Sequence, residues 1–365
     1  MAIKRIIIPF LIFLATLMAP SARPESAALP PIIFDAHEDC LRRVLDRGDD
    51  LAEPTQDTDA QGDIASWKAG GVNVVWFAAW VNPERYYGRA GTQRTENLIA
   101  AFKRQISRHP NDLVFCQTAA ECRATAANGK IAALLGIEGG SALNDNISLV
   151  AHFRKLGVRR ITLTWRGNIG WAGSSQSAGP AMGLTEMGRA MISEMNRTGI
   201  VPDLSHVSDQ TFRGTIAVSS LPVILSHSNA RALANHPRNV SDDMLALLRQ
   251  NGGVIGVNFH SEFLASPAGM FSRKTSQPTI ESVLDQISHI ARVAGVDHVG
   301  FGSDWDGDIQ PARGLETAAA MPLLISGLRR RGFSEKNIRK IAGENFLRVL
   351  EANEQQTGRQ TETGN

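Results

Sequence analysis

A chain of 365 residues with 43% hydrophobic composition has enough apolar content for one large core, and its length fits two ordinary domains or one barrel of about 250 residues or more. A formal net charge of +2 at pH 7, without a long basic or aromatic-interleaved basic run, argues against a nucleic-acid partner. Three cysteines, Cys40, Cys116 and Cys122, cannot make a complete disulfide framework, although an oxidising compartment would permit Cys116 to pair with Cys122.

Residues 1–22 read as a secretory signal peptide. Lys4 and Arg5 precede an uncharged, mostly apolar run from Ile6 to Ala19, and Ser21 and Ala22 supply small residues near a cleavage point. That run is short for a bilayer. Export to the periplasm or the cell exterior, with no membrane span left after cleavage, is therefore expected. Residues 23–31 are rich in Pro, Ala and Ser and form a linker.

The folded domain is expected over 32–352. Its first strand, Ile32 to Ala36, runs into His37-Glu38-Asp39, and a polar loop follows from Asp46 to Gln61. Seven more apolar runs have strand character: Val72–Trp80, Ile131–Ile137, Arg160–Thr164, Ile200–Leu204, Pro222–Leu225, Gly253–Phe259 and Val299–Gly302. Between them lie helical patterns at 64–70, 92–109, 119–127, 148–156, 185–198, 209–219, 242–251 and 280–294, with two closing helices near 315–332 and 334–351. Strands alternating with helices, without hairpin turns, predict a parallel sheet closed as a (β/α)8 TIM-type barrel, an open doubly wound sheet being the alternative. Residues 353–365 have polar composition and are expected to be a disordered tail.

The strand ends carry the chemistry. His37 and Asp39 follow the first, Glu138 the third, Trp165 the fourth, His206 the fifth, His227 the sixth, His260 the seventh and Asp304 the eighth. In a barrel these ends share one face, where active sites are built. A buried carboxylate such as Glu138 is costly unless a cation neutralises it. His206 and His227 each end the phrase Leu-Ser-His, which fits neighbouring βα units presenting imidazoles side by side. With Glu138 shared, His37 and Asp39 would serve one metal ion and His206 and His227 another. These N and O donors suit two Zn²⁺, and Mn²⁺, Co²⁺ or Fe²⁺ are compatible with them. Two such cations acidify a bridging water and polarise an acyl oxygen, with Asp304 as the acid/base carboxylate.

Six phrases, Phe34-Asp35-Ala36-His37-Glu38-Asp39, Gly136-Ile137-Glu138-Gly139, Asp203-Leu204-Ser205-His206, Ser226-His227-Ser228, Pro237-Arg238-Asn239-Val240 and Gly302-Ser303-Asp304-Trp305-Asp306-Gly307, occur in an order that resembles the membrane (renal) dipeptidase family of zinc peptidases. The resemblance spans roughly Pro31 to Leu350. It implies a binuclear zinc barrel cleaving dipeptides, with tolerance for a D-residue at the C-terminal position. It also implies that Arg238 holds the substrate's terminal carboxylate, a task suited to a guanidinium fork, and that Asn168 and Trp171 keep family positions. One residue departs. The family reads Thr-Leu-Thr-His after the fourth strand, whereas Thr162-Leu163-Thr164 is followed here by Trp165, which has one N–H and no charge. Either Arg166 or His260 substitutes for that His, or activity is poor and the substrate is altered. Three readings follow: a zinc dipeptidase, a related amidohydrolase on another amide, lactam or lactone, and a metal-holding protein with little catalysis. A homodimer is compatible with this reading.

Overall fold

The computed structural model describes residues 32–53, 60–86, 88–264 and 277–362, with side chains as far as Gln355. The expected signal peptide and linker lie outside the described residues. Among the described residues there are nine parallel strands: β1 Phe34–Glu38, β2 Val74–Trp80, β3 Leu113–Phe115, β4 Ile131–Glu138, β5 Val158–Thr162, β6 Val201–Asp203, β7 Ile224–Ser228, β8 Val254–Val257 and β9 Val299–Phe301. Their order is β2-β1-β9-β8-β7-β6-β5-β4-β3, and β2 also pairs with β4 from Val74↔Ala132 to Trp80↔Glu138. That pairing closes an eight-stranded (β/α)8 barrel from β1, β2 and β4 to β9.

The ninth strand, β3, was not expected. It pairs with Ile131–Ala133 of β4, below Leu135 where β5 joins. Three residues are too few to show a hydrophobic period, which is why the sequence gives no sign of it. All residues of β1, β4, β5 and β7 are buried, as in parallel strands covered on both faces; β4 reads as a nearly continuous apolar run, whereas β1, β5 and β7 carry polar residues that need partners inside the fold. Gly71, Gly157, Gly199 and Gly252 end helices in left-handed backbone, where the lack of a Cβ removes the steric cost.

Apolar side chains fill the base of the barrel. Phe34, Trp76, Leu134, Val201, Ile224 and Val254 pack there with Phe346, Val349 and Leu350 of the last helix. This helix corrects the expected disordered tail, for it runs over Asn345–Glu362, after a π-helical turn at Lys340–Glu344. Asn353 is fully buried and donates to the carbonyls of Pro222 and Val349 at 3.0 and 2.9 Å. Glu354 accepts from the Ala119 amide at 2.8 Å. Polar composition misleads here because these polar groups are tied to main-chain atoms at the base. Cys116 and Cys122 are buried free thiols. Among the described residues, no helix is long and apolar enough to cross a membrane.

Candidate metal centre

Two irregularities in the strands bring the metal-seeking side chains to the barrel mouth. Asp35 pairs with Val75 and Glu38 with Phe77, so three steps of β1 span two of β2. A bulge of this kind re-aims a side chain. Phe34 and Ala36 face the barrel base, and strict alternation would aim Glu38 inward. The extra residue lets His37 turn in, while Glu38 lies against Gly62, where an added β-carbon would stand 2.2 Å from Glu38 Oε2. β7 has the same irregularity between Leu225 and Ser228, and both Ser226 and His227 reach the interior. His206 and Asp304 leave their strands in left-handed backbone, φ 69° and 67°, a conformation uncommon for residues with side chains and often found at functional sites.

Five expected metal-binding residues and Asp304 converge there. His37 Nε2 lies 3.1 Å from Asp39 Oδ2, 3.5 Å from Glu138 Oε2 and 3.8 Å from Asp304 Oδ1. Glu138 turns its other oxygen to the remaining imidazoles: Oε1 is 2.9 Å from His206 Nε2 and 3.5 Å from His227 Nε2. Those two ring nitrogens are 2.9 Å apart. Glu138 thus turns one oxygen to His37 and the other to His206 and His227, and the His37 and His227 ring centroids are themselves 3.8 Å apart, so that His37, Glu138 and His227 form one group close enough to hold an ion and His37, Asp39 and Asp304 another. Asp39 Oδ1 is buried with no hydrogen-bond partner among the described residues. Buried carboxylates and imidazoles aimed at common points, with an unpartnered oxygen among them, fit divalent cations. Without cations, burial and the competing charges pull protonation apart. Burial opposes charge on His37, but Asp39 and Glu138 outweigh it and raise the imidazole to about 10. Burial lowers His206 to about 4, with Arg238 adding to the effect. Burial also raises Asp304 to about 8, helped by Asp39 and Glu138.

A second layer, absent from the sequence reading, holds this ring in place. Arg160 is wholly buried inside the barrel and pairs with Asp203 Oδ2 at 2.8 Å. Its other nitrogen lies 2.9 Å from His37 Nδ1. Asp203 also accepts from Thr162 and Ser226, each at 2.6 Å. Gly136 makes room for this arginine, since a β-carbon at that position would lie 2.6 Å from Arg160 Cγ. Asn258 donates to Asp304 Oδ2 at 2.9 Å, leaving Oδ1 turned to the metal-seeking residues.

Above the ring is a cavity of about 350 Å³, lined by Asp39, Glu138, His206 and Asp304, with Trp80, Trp165, Arg166, Arg238, His260 and Phe263 among the walls. Arg238, Trp165 and His260 therefore lie where the sequence reading expects substrate. Asn168 does not line this cavity. Its side-chain oxygen accepts from the Ser174 amide at 2.9 Å and its amide donates to the Pro180 carbonyl at 3.4 Å, so it is occupied in shaping its own loop. Trp171 is buried in the hydrophobic core. Trp165 meets Trp80 edge-on at 4.9 Å, and the pair forms an aromatic wall of the cavity.

The model of the membrane dipeptidase family, peptidase family M19, matches residues 28–363. The chain belongs to this family. A curated relative, dipeptidase verJ of Clonostachys rogersoniana, is 35% identical over 315 residues, covering 84% of this chain and 79% of its own. Among solved structures, a metallopeptidase of the same family, dipeptidase AC, superposes with a TM-score of 0.78 at 28% identity, over 88% of this chain and 98% of that one. A Rhodobacter sphaeroides metallopeptidase, liganded with a phosphinate mimic of the dipeptide L-Ala-D-Ala, gives 0.79 at 27% identity, over 89% and 99% of the two chains. The protein is accordingly a metallo-dipeptidase, a hydrolase of peptide bonds. Membership of this family sets aside the reading of a metal-holding protein with little catalysis.

Proposed function

We propose that this dipeptidase acts, after export, on dipeptides with a free C-terminal carboxylate and accepts a D-residue at that end. Two Zn²⁺ ions would be held by His37 and Asp39 and by His206 and His227, with Glu138 shared between them. The observation that carries the substrate reading is Arg238. Its guanidinium is buried beside the cavity and over the Phe263 ring; among the described residues its Nε has no hydrogen-bond partner, and its other nitrogens reach Ser228 Oγ at 3.4 Å and the His227 carbonyl at 3.2 Å. Burial lowers Arg238 to about 10, so it is still a cation at neutral pH. A buried cation without a counter-ion is stabilised by an anionic ligand, and a carboxylate matches its fork. The D-residue reading draws support from the Rhodobacter sphaeroides relative and its L-Ala-D-Ala mimic. Export rests on the charge and apolar pattern of residues 1–22.

When bound, divalent cations would polarise the scissile carbonyl and acidify the attacking water. The protein's own residues supply the rest. Arg238 fixes the substrate by its carboxylate end. Asp304 takes the water's proton at Oδ1, the oxygen free of Asn258, and passes it to the departing amine nitrogen. Trp80 and Trp165 cover one side of the cavity and keep water from it.

The test is hydrolysis of paired L-L and L-D dipeptides, and of their C-terminal amides, by Zn²⁺-loaded protein with and without a chelator. Chelator-sensitive cleavage of the free acids and weak cleavage of the amides is expected. Equal cleavage of acids and amides would refute the role of Arg238. Trp165 favours a second reading, that of an amidohydrolase for another amide, lactam or lactone. Loaded protein that turns over such a substrate and no dipeptide would establish it.

A further inference from the structure

One cation at the cavity mouth has no role in the scheme above. Arg166 follows Trp165 directly, is exposed, and lines the same cavity. Its guanidinium carbon lies 4.8 Å from the centroid of the Trp165 ring, a cation–π distance that limits how far the side chain can swing. The neighbouring arginines are already matched by acids. Arg42 grips both oxygens of Asp308 at 2.5 Å, and Arg43 pairs with Asp306 at 3.2 Å. Among the described residues, no carboxylate stands within ion-pair distance of Arg166. Its charge nevertheless bears on Arg238, His260 and Asp308, so it acts across the mouth and not away from it. Among the acids on the wall, Asp306 and Asp308 are the ones paired with arginines in the described residues, and Glu262, its side chain 73% exposed, stands 3.7 Å from His260 Nε2.

We infer that Arg166 is a specificity residue selecting dipeptides that carry a second carboxylate on a side chain. The inference rests on the dipeptidase reading, and it names the substrate class within it. Arg238 is engaged by the terminal carboxylate, so a second anion entering the cavity meets Arg166 as the unmatched cation. The edge-on Trp80 and Trp165 pair offers an apolar surface for the methylene groups of an aspartyl or glutamyl side chain. An exposed cation contributes a screened attraction, which places the expected preference at the lower end of the range for charged hydrogen bonds.

The experiment compares kcat/KM for isosteric pairs, Ala-Asp with Ala-Asn, Ala-Glu with Ala-Gln, and Asp-Ala with Asn-Ala, with Ala-Ala as reference. Metal-loaded wild type, Arg166→Gln and Arg166→Lys are assayed at low ionic strength and at about 0.5 M NaCl. The acid-to-amide ratio in wild type should be about tenfold or more for at least one pair. It should fall towards one in Arg166→Gln, persist in part in Arg166→Lys, and shrink with salt. A wild-type ratio near one overturns the inference, as does a ratio that survives Arg166→Gln. Equal loss on acid and amide, with the ratio intact, would also overturn it and assign Arg166 to the reacting carbonyl instead. Absence of cleavage of any of these dipeptides, Ala-Ala included, would be the failure of the dipeptide reading itself, and the inference would fall with it.

Discussion

Replacing Arg238 by Met separates a group that waits for a ligand from one that holds the fold. The guanidinium sits 5.2 Å over the Phe263 ring, and its two contacts to Ser228 and the His227 carbonyl are long. Methionine keeps much of the stem and removes a buried charge that lacks a counter-ion, so the metal-free protein should lose little stability or gain some. A hydrogen bond to a charged group is worth about 1.5–3 kcal/mol. The variant should therefore lose about 10- to 150-fold in kcat/KM on a free-acid dipeptide. On the C-terminal amide, where wild type has no carboxylate to hold, the two proteins should be nearly equal. Steady-state kinetics on both substrates, with urea unfolding of the metal-free proteins, tests both halves. Equal losses on acid and amide would refute the assignment. So would destabilisation beyond about 2 kcal/mol, because Arg238 would then be holding the loop after β7 together.

Asp304→Asn should lower kcat by about 10²–10⁴ while bound zinc, counted by elemental analysis, stays at the wild-type level; unchanged turnover would remove Asp304 from proton transfer. Gly136→Ala should destabilise by about 1–3 kcal/mol through overpacking against Arg160, read as a lower urea midpoint. Arg160→Met strands the buried Asp203 carboxylate and should cost about 3–5 kcal/mol at pH 7. The sign with pH follows from Asp203, where burial is outweighed by Arg160, Ser226 and Thr162, so its folded pKa lies below the ordinary value of 3.8. In wild type the stabilisation from this group is complete above that ordinary value and is lost as pH falls through the lower folded one. In Arg160→Met burial acts unopposed by that cation, the carboxyl protonates more readily, and the gap to wild type should narrow on acidification. Urea midpoints of the metal-free proteins at neutral and mildly acid pH would show a constant gap if the pair carried no such charge.

The fold is legible because strands covered on both faces are mostly apolar, with polar residues gathered towards their C-terminal ends in β1, β4 and β7. Runs such as Ile131–Glu138 announce themselves, and the glycines at 71, 157, 199 and 252 mark where helices stop. Strand ends are less legible. The sequence places His227 just past its strand, whereas β7 continues to Ser228. It does so because the bulge lets two consecutive residues face inward, and strict alternation cannot describe a bulge. The tail failed for a related reason. Composition measures what a segment could bury in apolar surface, and says nothing of an Asn353 or Glu354 that finds main-chain partners at the barrel base.

The site residues were legible where a polar side chain interrupts an apolar run at its end, as Glu138, His206 and His227 do. Asn258 and Trp80 gave no such signal, since an amide or an indole near a strand end is ordinary. Arg160 is the instructive omission. Arg159 and Arg160 stand together in a strand whose every residue is buried, and neither can keep its charge there without partners. Arg159 reaches the Gln117 carbonyl at 2.8 Å, outside the barrel, and Arg160 takes Asp203 and His37 within. Two arginines in a run flanked by Val158 and Ile161 were thus a readable sign that something inside the barrel needed a cation. What they could not tell is which arginine points inward, and that depends on the register against β4, where Gly136 leaves the space that Arg160 fills.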